Sequence, residues 1–149
     1  MIAPAGTLSV VIEKELPHPP EKVWRALTQS ALIEDWLMHN DFEPTVGHEF
    51  TLRAAPTPRW NGVTDCKVLA VEPHKRLSYA WNSSGEEAGN GLKTVVTFTL
   101  TPTKRGVLLR LEHSGFREDQ KTNYQGATFG WRKFLDQLER VVESSPDKA

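Results

Sequence analysis

The side chains able to do chemistry in this chain of 149 residues are few and dispersed. The histidines, His18, His39, His48, His74 and His113, fall at none of the close helical spacings that hold a metal, and the lone Cys66 has no second thiol for a CxxC pair. No metal site and no cofactor are therefore expected. Cys66 sits mid-strand with no assured basic neighbour to lower its pKa, so it reads as an inert buried thiol rather than a nucleophile. His113 is the best single polar candidate. Alternation through Val107, Leu109 and Leu111 turns it inward, where an imidazole can bond a ligand oxygen or act as general acid or base. The plainer alternative is a core histidine hydrogen-bonded to a neighbour. Tyr79 and Trp81 are the other inward side chains with a polar tip that must find a partner if buried. Asp65, one residue out of register with Cys66, should face solvent and not pair with His113, while Asp41 and Glu43 read as ordinary loop charges. The glycines of 85–91 join two strands and come with two acids that would repel phosphate, so they make no phosphate loop.

Composition narrows the partners. Lys plus Arg number 18 against 19 for Asp plus Glu, interspersed along the chain, which leaves no basic field for nucleic acid or an anionic membrane. A neutral, apolar small molecule is the expected partner. The length suits one domain over 1–149, with a core at about 8–143 and a frayed polar tail from Ser144. A single cysteine excludes an internal disulfide and suits a reducing compartment. With no basic stretch and long apolar run at Met1 to Gly6, and nowhere about 18 consecutive apolar residues, neither a secretory signal nor a membrane-inserted helix is expected. The location expected is the cytoplasm.

The elements that must position His113 and Tyr79 follow from the pattern. A first strand at 8–16 ends at Pro17. Pro19 and Pro20 open a short helix through Leu27, since proline suits a first turn whose N–H groups lack intrahelical partners. Ser30 is the expected cap of a second short helix carrying Leu32, Ile33, Trp36 and Leu37. From Val46 the period falls to two, giving strands at 48–54, 60–71, 76–81, 92–100 and 107–113. Their connections are too short for crossover helices, so the sheet is antiparallel. Turns fall at Pro56 and Pro58, at Pro73, at 85–91 and at Thr101 to Gly106, with 85–91 expected to be a mobile loop. Finally Tyr124, Ala127, Trp131, Phe134, Leu138 and Val141, widened by Leu135 and Val142, mark one long amphipathic helix with Arg132, Asp136, Glu139, Arg140 and Glu143 on its wet side. The class is α+β: a curved antiparallel sheet of about six strands, in the order β-α-α-β-β-β-β-β-α, gripping the C-terminal helix.

Four stretches identify a resemblance across nearly the whole chain. They are Pro20 to Thr28 leading to Leu32 and Trp36; Val46 to Phe50; Glu72 to Trp81; and Leu111 to Phe116 followed by Gly130-Trp131 and Leu135 to Leu138. Together they resemble the SRPBCC superfamily of START-related, birch-pollen-allergen-like helix-grip proteins, and within it the bacterial homologues of the activator of the heat-shock protein 90 ATPase. His48 stands where that family usually has a second glycine, which implies an altered turn into the next strand.

The resemblance implies a hydrophobic ligand, lipid-like or polyketide-like, held between sheet and helix, because a helix about 10 Å across does not fill a strongly curved sheet. Alternation selects Phe50, Leu52, Cys66, Val68, Leu77, Tyr79, Trp81, Val96, Phe98, Leu109, Leu111 and His113 as the sheet wall, with Leu100 beside them. Trp36, Tyr124, Trp131 and Phe134 complete it from the helices. The alternative to a cavity is that these side chains simply close-pack as core. Gly126 and Gly130 would either leave room for a ligand or let the helix approach the sheet. The resemblance also implies two further readings: contact with the bacterial heat-shock protein 90, and a cyclase- or dehydratase-type enzyme using His113 and Tyr79.

Overall fold

A computed structural model describes residues 7–55, 60–85, 92–117 and 121–145. The expected turn at Pro56 and Pro58, the glycine-rich stretch 86–91 and the last residues of the polar tail, 146–149, lie outside them. The elements run β1 (Thr7–Leu16), α1 (Pro20–Thr28), α2 (Ser30–Trp36), β2 (His39–Asn40), β3 (Glu49–Arg53), β4 (Trp60–Glu72), β5 (Arg76–Gly85), β6 (Leu92–Pro102), β7 (Val107–Arg117) and α3 (Lys121–Ser144). The strands form one curved antiparallel sheet in the order β1-β7-β6-β5-β4-β3-β2. Among the described residues it has seven strands rather than about six. The extra one, β2, pairs only His39 with Arg53 and Asn40 with Leu52, too short a run to leave a period in the sequence.

Each boundary has a local cause. Pro20 occupies the first turn of α1 with Glu21 beside it, where a missing N–H costs nothing and a carboxylate meets the positive helix end. Ser30 is not the cap of α2. Gln29 takes that position without a side-chain cap bond, and the Ser30 hydroxyl instead donates to the Asn40 carbonyl at 3.2 Å, tying the helix to β2. The turn before β3 rests on Gly47 at φ 90°, a conformation open to glycine. His48 keeps negative φ, so it leaves that turn unstrained, and its Nε2 lies 2.9 Å from the Asp41 carbonyl.

β7 carries an irregularity that matters for the interior. Leu8 of β1 faces Phe116 while Ser9 faces Ser114, so Gly115, at φ 101°, is an extra residue in β7. This glycine bulge resets the alternation. His113 and Phe116 consequently both point inward, at 1% and 0% exposure.

Helix α3 lies across this face. Trp131, Leu135, Leu138 and Val142 are buried, with Tyr124, Ala127, Phe134 and Val141 half-buried beside them, the stripe expected from the spacing. It packs on β1, β7, α1 and α2. On its outer side Lys14 of β1 bonds both Asp136 and Glu139 at 2.8 Å. Gly126 is exposed with nothing near its missing Cβ, and the nearest neighbour to that of Gly130 is Phe134 of the same helix, so neither glycine lets α3 approach the sheet.

Candidate functional site

The residues selected from the sequence come together. Trp36, Phe50, Leu52, Cys66, Val68, Leu77, Tyr79, Trp81, Val96, Phe98, Leu109, Leu111, His113 and Trp131 are all buried, and Tyr124 and Phe134 pack at the edge of the same cluster. Their rings touch in series. Phe50 meets Tyr79 at a centroid separation of 5.2 Å, Tyr79 meets Phe98 at 6.1 Å, Phe98 meets Trp131 at 5.9 Å, and Trp131 meets Trp81 at 5.4 Å. Trp36 closes on Phe98 from α2, its indole N–H donating to the Ala26 carbonyl at 2.7 Å. An aromatic band thus crosses the sheet beneath the helices. None of these side chains carries a formal charge when His113 is neutral, which its surroundings ensure.

His113 is held at both nitrogens. The Trp131 indole N–H can only donate, and it lies 2.8 Å from Nδ1, so Nδ1 must be the bare acceptor. Nε2 then carries the proton and donates to the Thr94 hydroxyl at 2.7 Å, which in turn donates to the Trp81 carbonyl at 2.8 Å. One tautomer satisfies every atom along this line. Burial holds the ring neutral, pulling its pKa from 6.5 to about 3. With no nitrogen lone pair free and protonation pushed far below neutrality, His113 in this arrangement is a strut joining α3 to β6 and β5, the plainer of the two roles open in the sequence.

Tyr79 stands in the opposite condition. Its side chain is 4% exposed, enclosed by Phe42, Phe50 and Phe98, and its hydroxyl makes no hydrogen bond among the described residues. Burial, with the Cys66 sulfur nearby, holds its pKa well above the ordinary value, so it is a neutral O–H donor and not a base. Burial likewise pushes the Cys66 thiol up, helped by Asp65 and Asp41, and its sulfur has only a distant contact with the Thr64 carbonyl at 3.9 Å. Asp65 is exposed, away from His113. Asp41 does more than an ordinary loop charge: its carboxylate accepts the Thr51 N–H at 2.8 Å and fixes the start of β3. Glu43 approaches His48 at 3.5 Å on the surface.

Three members of this interior escaped the sequence reading. Phe42 lies in a segment without period and packs on Phe50 at 5.1 Å. Phe116 is re-aimed by the Gly115 bulge and meets the His113 ring at 4.7 Å. Thr94 was legible, since it sits two residues before Val96 on the inward face of β6.

Two pockets bounded by described residues lie against α3 on the side away from the band. One, of about 350 Å³, is lined by Asp35, Gln137, Arg140, Val141, Ser144 and Ser145. The other, of about 390 Å³, is lined by Phe129, Arg132, Lys133, Asp136, Gln137 and Arg140. Among the described residues no cluster of three His, Cys, Asp or Glu side chains is placed to hold a metal, and no helix is long and apolar enough to cross a membrane.

Comparison with known proteins places these observations. Residues 17–143 match the family described as activator of Hsp90 ATPase homolog 1-like protein. The structure is similar to that of protein MLL2253 from Mesorhizobium loti, with 53% identity and a TM-score of 0.86 over 93% of this chain and 99% of that one. It is also similar to protein BH1534 from Bacillus halodurans, at 25% identity and a TM-score of 0.74 over 91% of this chain and 96% of the other. DynU16, a protein in the dynemicin biosynthetic locus, shares the fold at 24% identity and a TM-score of 0.72, over 98% of this chain but 51% of its own. No curated protein matches the sequence.

Proposed function

Since the chain belongs to the family of activator of Hsp90 ATPase homolog 1-like proteins and has its helix-grip fold, we propose that it binds a hydrophobic or aromatic small molecule between the sheet and α3. The observation that carries this reading is the aromatic band, in which Tyr79, Trp81, Phe98 and Trp131 lie ring against ring with no formal charge among them. Such a surface offers a neutral, flat guest stacking faces worth about 0.5–1.5 kcal/mol each beyond area burial. The guest must part rings that touch in its absence, so binding requires α3 or the aromatic side chains to shift. The single cysteine is a free, buried thiol, compatible with a cytoplasmic protein.

The test is titration of the full chain with the neutral fluorophore N-phenyl-1-naphthylamine, following energy transfer from the tryptophans. Saturation at one probe per chain, altered by Trp81→Ala or Phe98→Ala, is the expected result. Absence of saturable uptake here and across a panel of lipids and aromatic metabolites would remove the proposal.

The family description favours a second reading, contact with a bacterial heat-shock protein 90. Phe129 supports it, standing 76% exposed on α3 beside Arg132 and Lys133, where it could anchor a protein partner. Stimulation of the purified chaperone's ATPase by the full chain, weakened by Phe129→Ala, is its check, and an unchanged rate would dismiss it. A cyclase or dehydratase run by His113 and Tyr79 finds no support in this geometry, since the histidine has no free nitrogen and the phenol no base beside it.

A further inference from the structure

Trp131, Leu135, Leu138 and Val142 turn one side of α3 into the core. On the opposite side Phe129, Arg132, Lys133, Asp136, Gln137 and Arg140 follow one another at spacings of three and four, so they form a single stripe along the helix. They are the residues that line the pocket of about 390 Å³ described above. All but the half-buried Gln137 are exposed, Phe129 at 76%. Arg132, Lys133 and Arg140 form no salt bridge among the described residues. Asp136 gives one oxygen to Lys14 of β1 at 2.8 Å, yet 66% of its side chain stays exposed.

One exposed aromatic on a helix needs no explanation by itself. The order of the stripe does. Turned end for end about the point midway between Phe134 and Leu135, the stripe falls on itself: Phe129 lands on Arg140, Arg132 on Gln137, and Lys133 on Asp136. Each pair is complementary. Lys133 meets a carboxylate, the Arg132 guanidinium meets an amide oxygen, and Arg140 can lay its flat cation and alkyl stem on the Phe129 ring. Antiparallel helix pairs use this spacing, since residues three and four apart share the seam. An acidic peptide would satisfy the three cations but would bring its own carboxylates against Asp136 near the centre. A second copy of this chain presents Lys133 there instead.

We propose that this stripe is a self-association surface, on which two chains pack α3 against α3, antiparallel about a twofold axis. The contact is independent of the proposed binding between sheet and helix, which lies on the other side of α3. It is also small. From Phe129 to Arg140 the helix rises about 17 Å. The buried area is therefore at the low end for specific complexes, and the dimer is a reversible one with a dissociation constant of roughly 1–100 µM.

Sedimentation equilibrium of the full chain at roughly 5 to 500 µM, which spans that range, tests whether the dimer forms. Exchange of charges then tests the register. Lys133→Asp sets an acid against the partner's Asp136, and Asp136→Lys sets a base against the partner's Lys133, so each variant alone should dimerise at least about 10-fold more weakly than the wild type. Mixed in equal amounts, the two variants regain both pairs and should form a heterodimer of about wild-type affinity. In the second variant Lys14 keeps Glu139 at 2.8 Å, so β1 stays tied to α3. Phe129→Ala should weaken association roughly 10-fold. All three positions are exposed, and circular dichroism checks that the fold is retained. A wild-type chain that stays monomeric throughout would overturn the inference and leave the stripe to a different protein. A wild-type dimer whose charge variants associate undiminished, or are not rescued by mixing, would overturn it as well, since the contact would then lie elsewhere. Should a charge variant fail to fold, the wild-type equilibrium and Phe129→Ala still decide.

Discussion

Replacing His113 by Phe separates what the imidazole does by hydrogen bonding from what it does by staying neutral. A phenyl ring is flat like the imidazole but somewhat larger, so any packing strain it adds is the same at every pH. The Trp131 indole N–H, however, loses its acceptor inside the protein, and a buried donor left without a partner costs about 1–3 kcal/mol. The Thr94 hydroxyl still reaches the Trp81 carbonyl and adds little to that cost. At about pH 7.5 the variant should therefore unfold in urea roughly 0.5–1.5 M earlier than the wild type, taking a slope of about 2 kcal/mol per molar for a domain of this size. Lowering the pH then acts on the two proteins differently. In the wild type the ring ionises at 6.5 when unfolded but only near 3 when folded, so below pH 6.5 the unfolded chain binds a proton that the folded chain refuses. Stability contributed by this residue is thus complete above pH 6.5 and falls with the pH toward 3, and by pH 5 the loss is about 2 kcal/mol. The variant has no such proton to bind. The gap between them should close, or change sign, between pH 7.5 and pH 5, with the other titrating groups common to both chains. Urea melts followed by far-ultraviolet circular dichroism at several pH values measure this. A gap that is constant across the range would refute the neutral, doubly bonded imidazole on which the argument rests.

Other expectations follow from single positions. Gly126→Ala adds a methyl where nothing stands and relieves a glycine inside a helix, so stability should rise by about 0.5–1 kcal/mol, read as a higher melting temperature. Gly115→Ala should do the reverse, since alanine at φ 101° is strained by about 1–2 kcal/mol, and the same melt should move down. The Cys66 thiol, buried and with its pKa raised, should resist 5,5′-dithiobis(2-nitrobenzoate) in the folded protein and react promptly in urea; rapid labelling of the native chain would show the interior to be open.

How far the sequence carried depends on whether a residue's place was written in a period. His113, Tyr79 and Trp81 were legible because each lies on a strand long enough to show alternation. Phe42 was not, for it reaches the band from a stretch with no repeat, where its backbone N–H is fixed by the Asn40 side chain. Phe116 was obscured by the extra residue Gly115, although an isolated glycine in a strand pattern is itself a sign of a bulge. Ser30 misled because its hydroxyl had a tertiary partner, the Asn40 carbonyl, which no local rule for helix caps could anticipate. The pairing of His113 with Trp131 lay beyond any one-dimensional reading, since the two meet only once α3 folds back over the sheet.

The pairing of β1 with β7 has a consequence for biosynthesis. Thr7 finds Arg117 and Val10 finds His113, so the first strand to leave the ribosome must wait for the last before its ladder forms. At translation rates of about 5–20 residues per second that wait is on the order of ten seconds. During it the nascent strand carries Val10 and Leu16 uncovered, which makes this segment a natural target for the cell's holding factors.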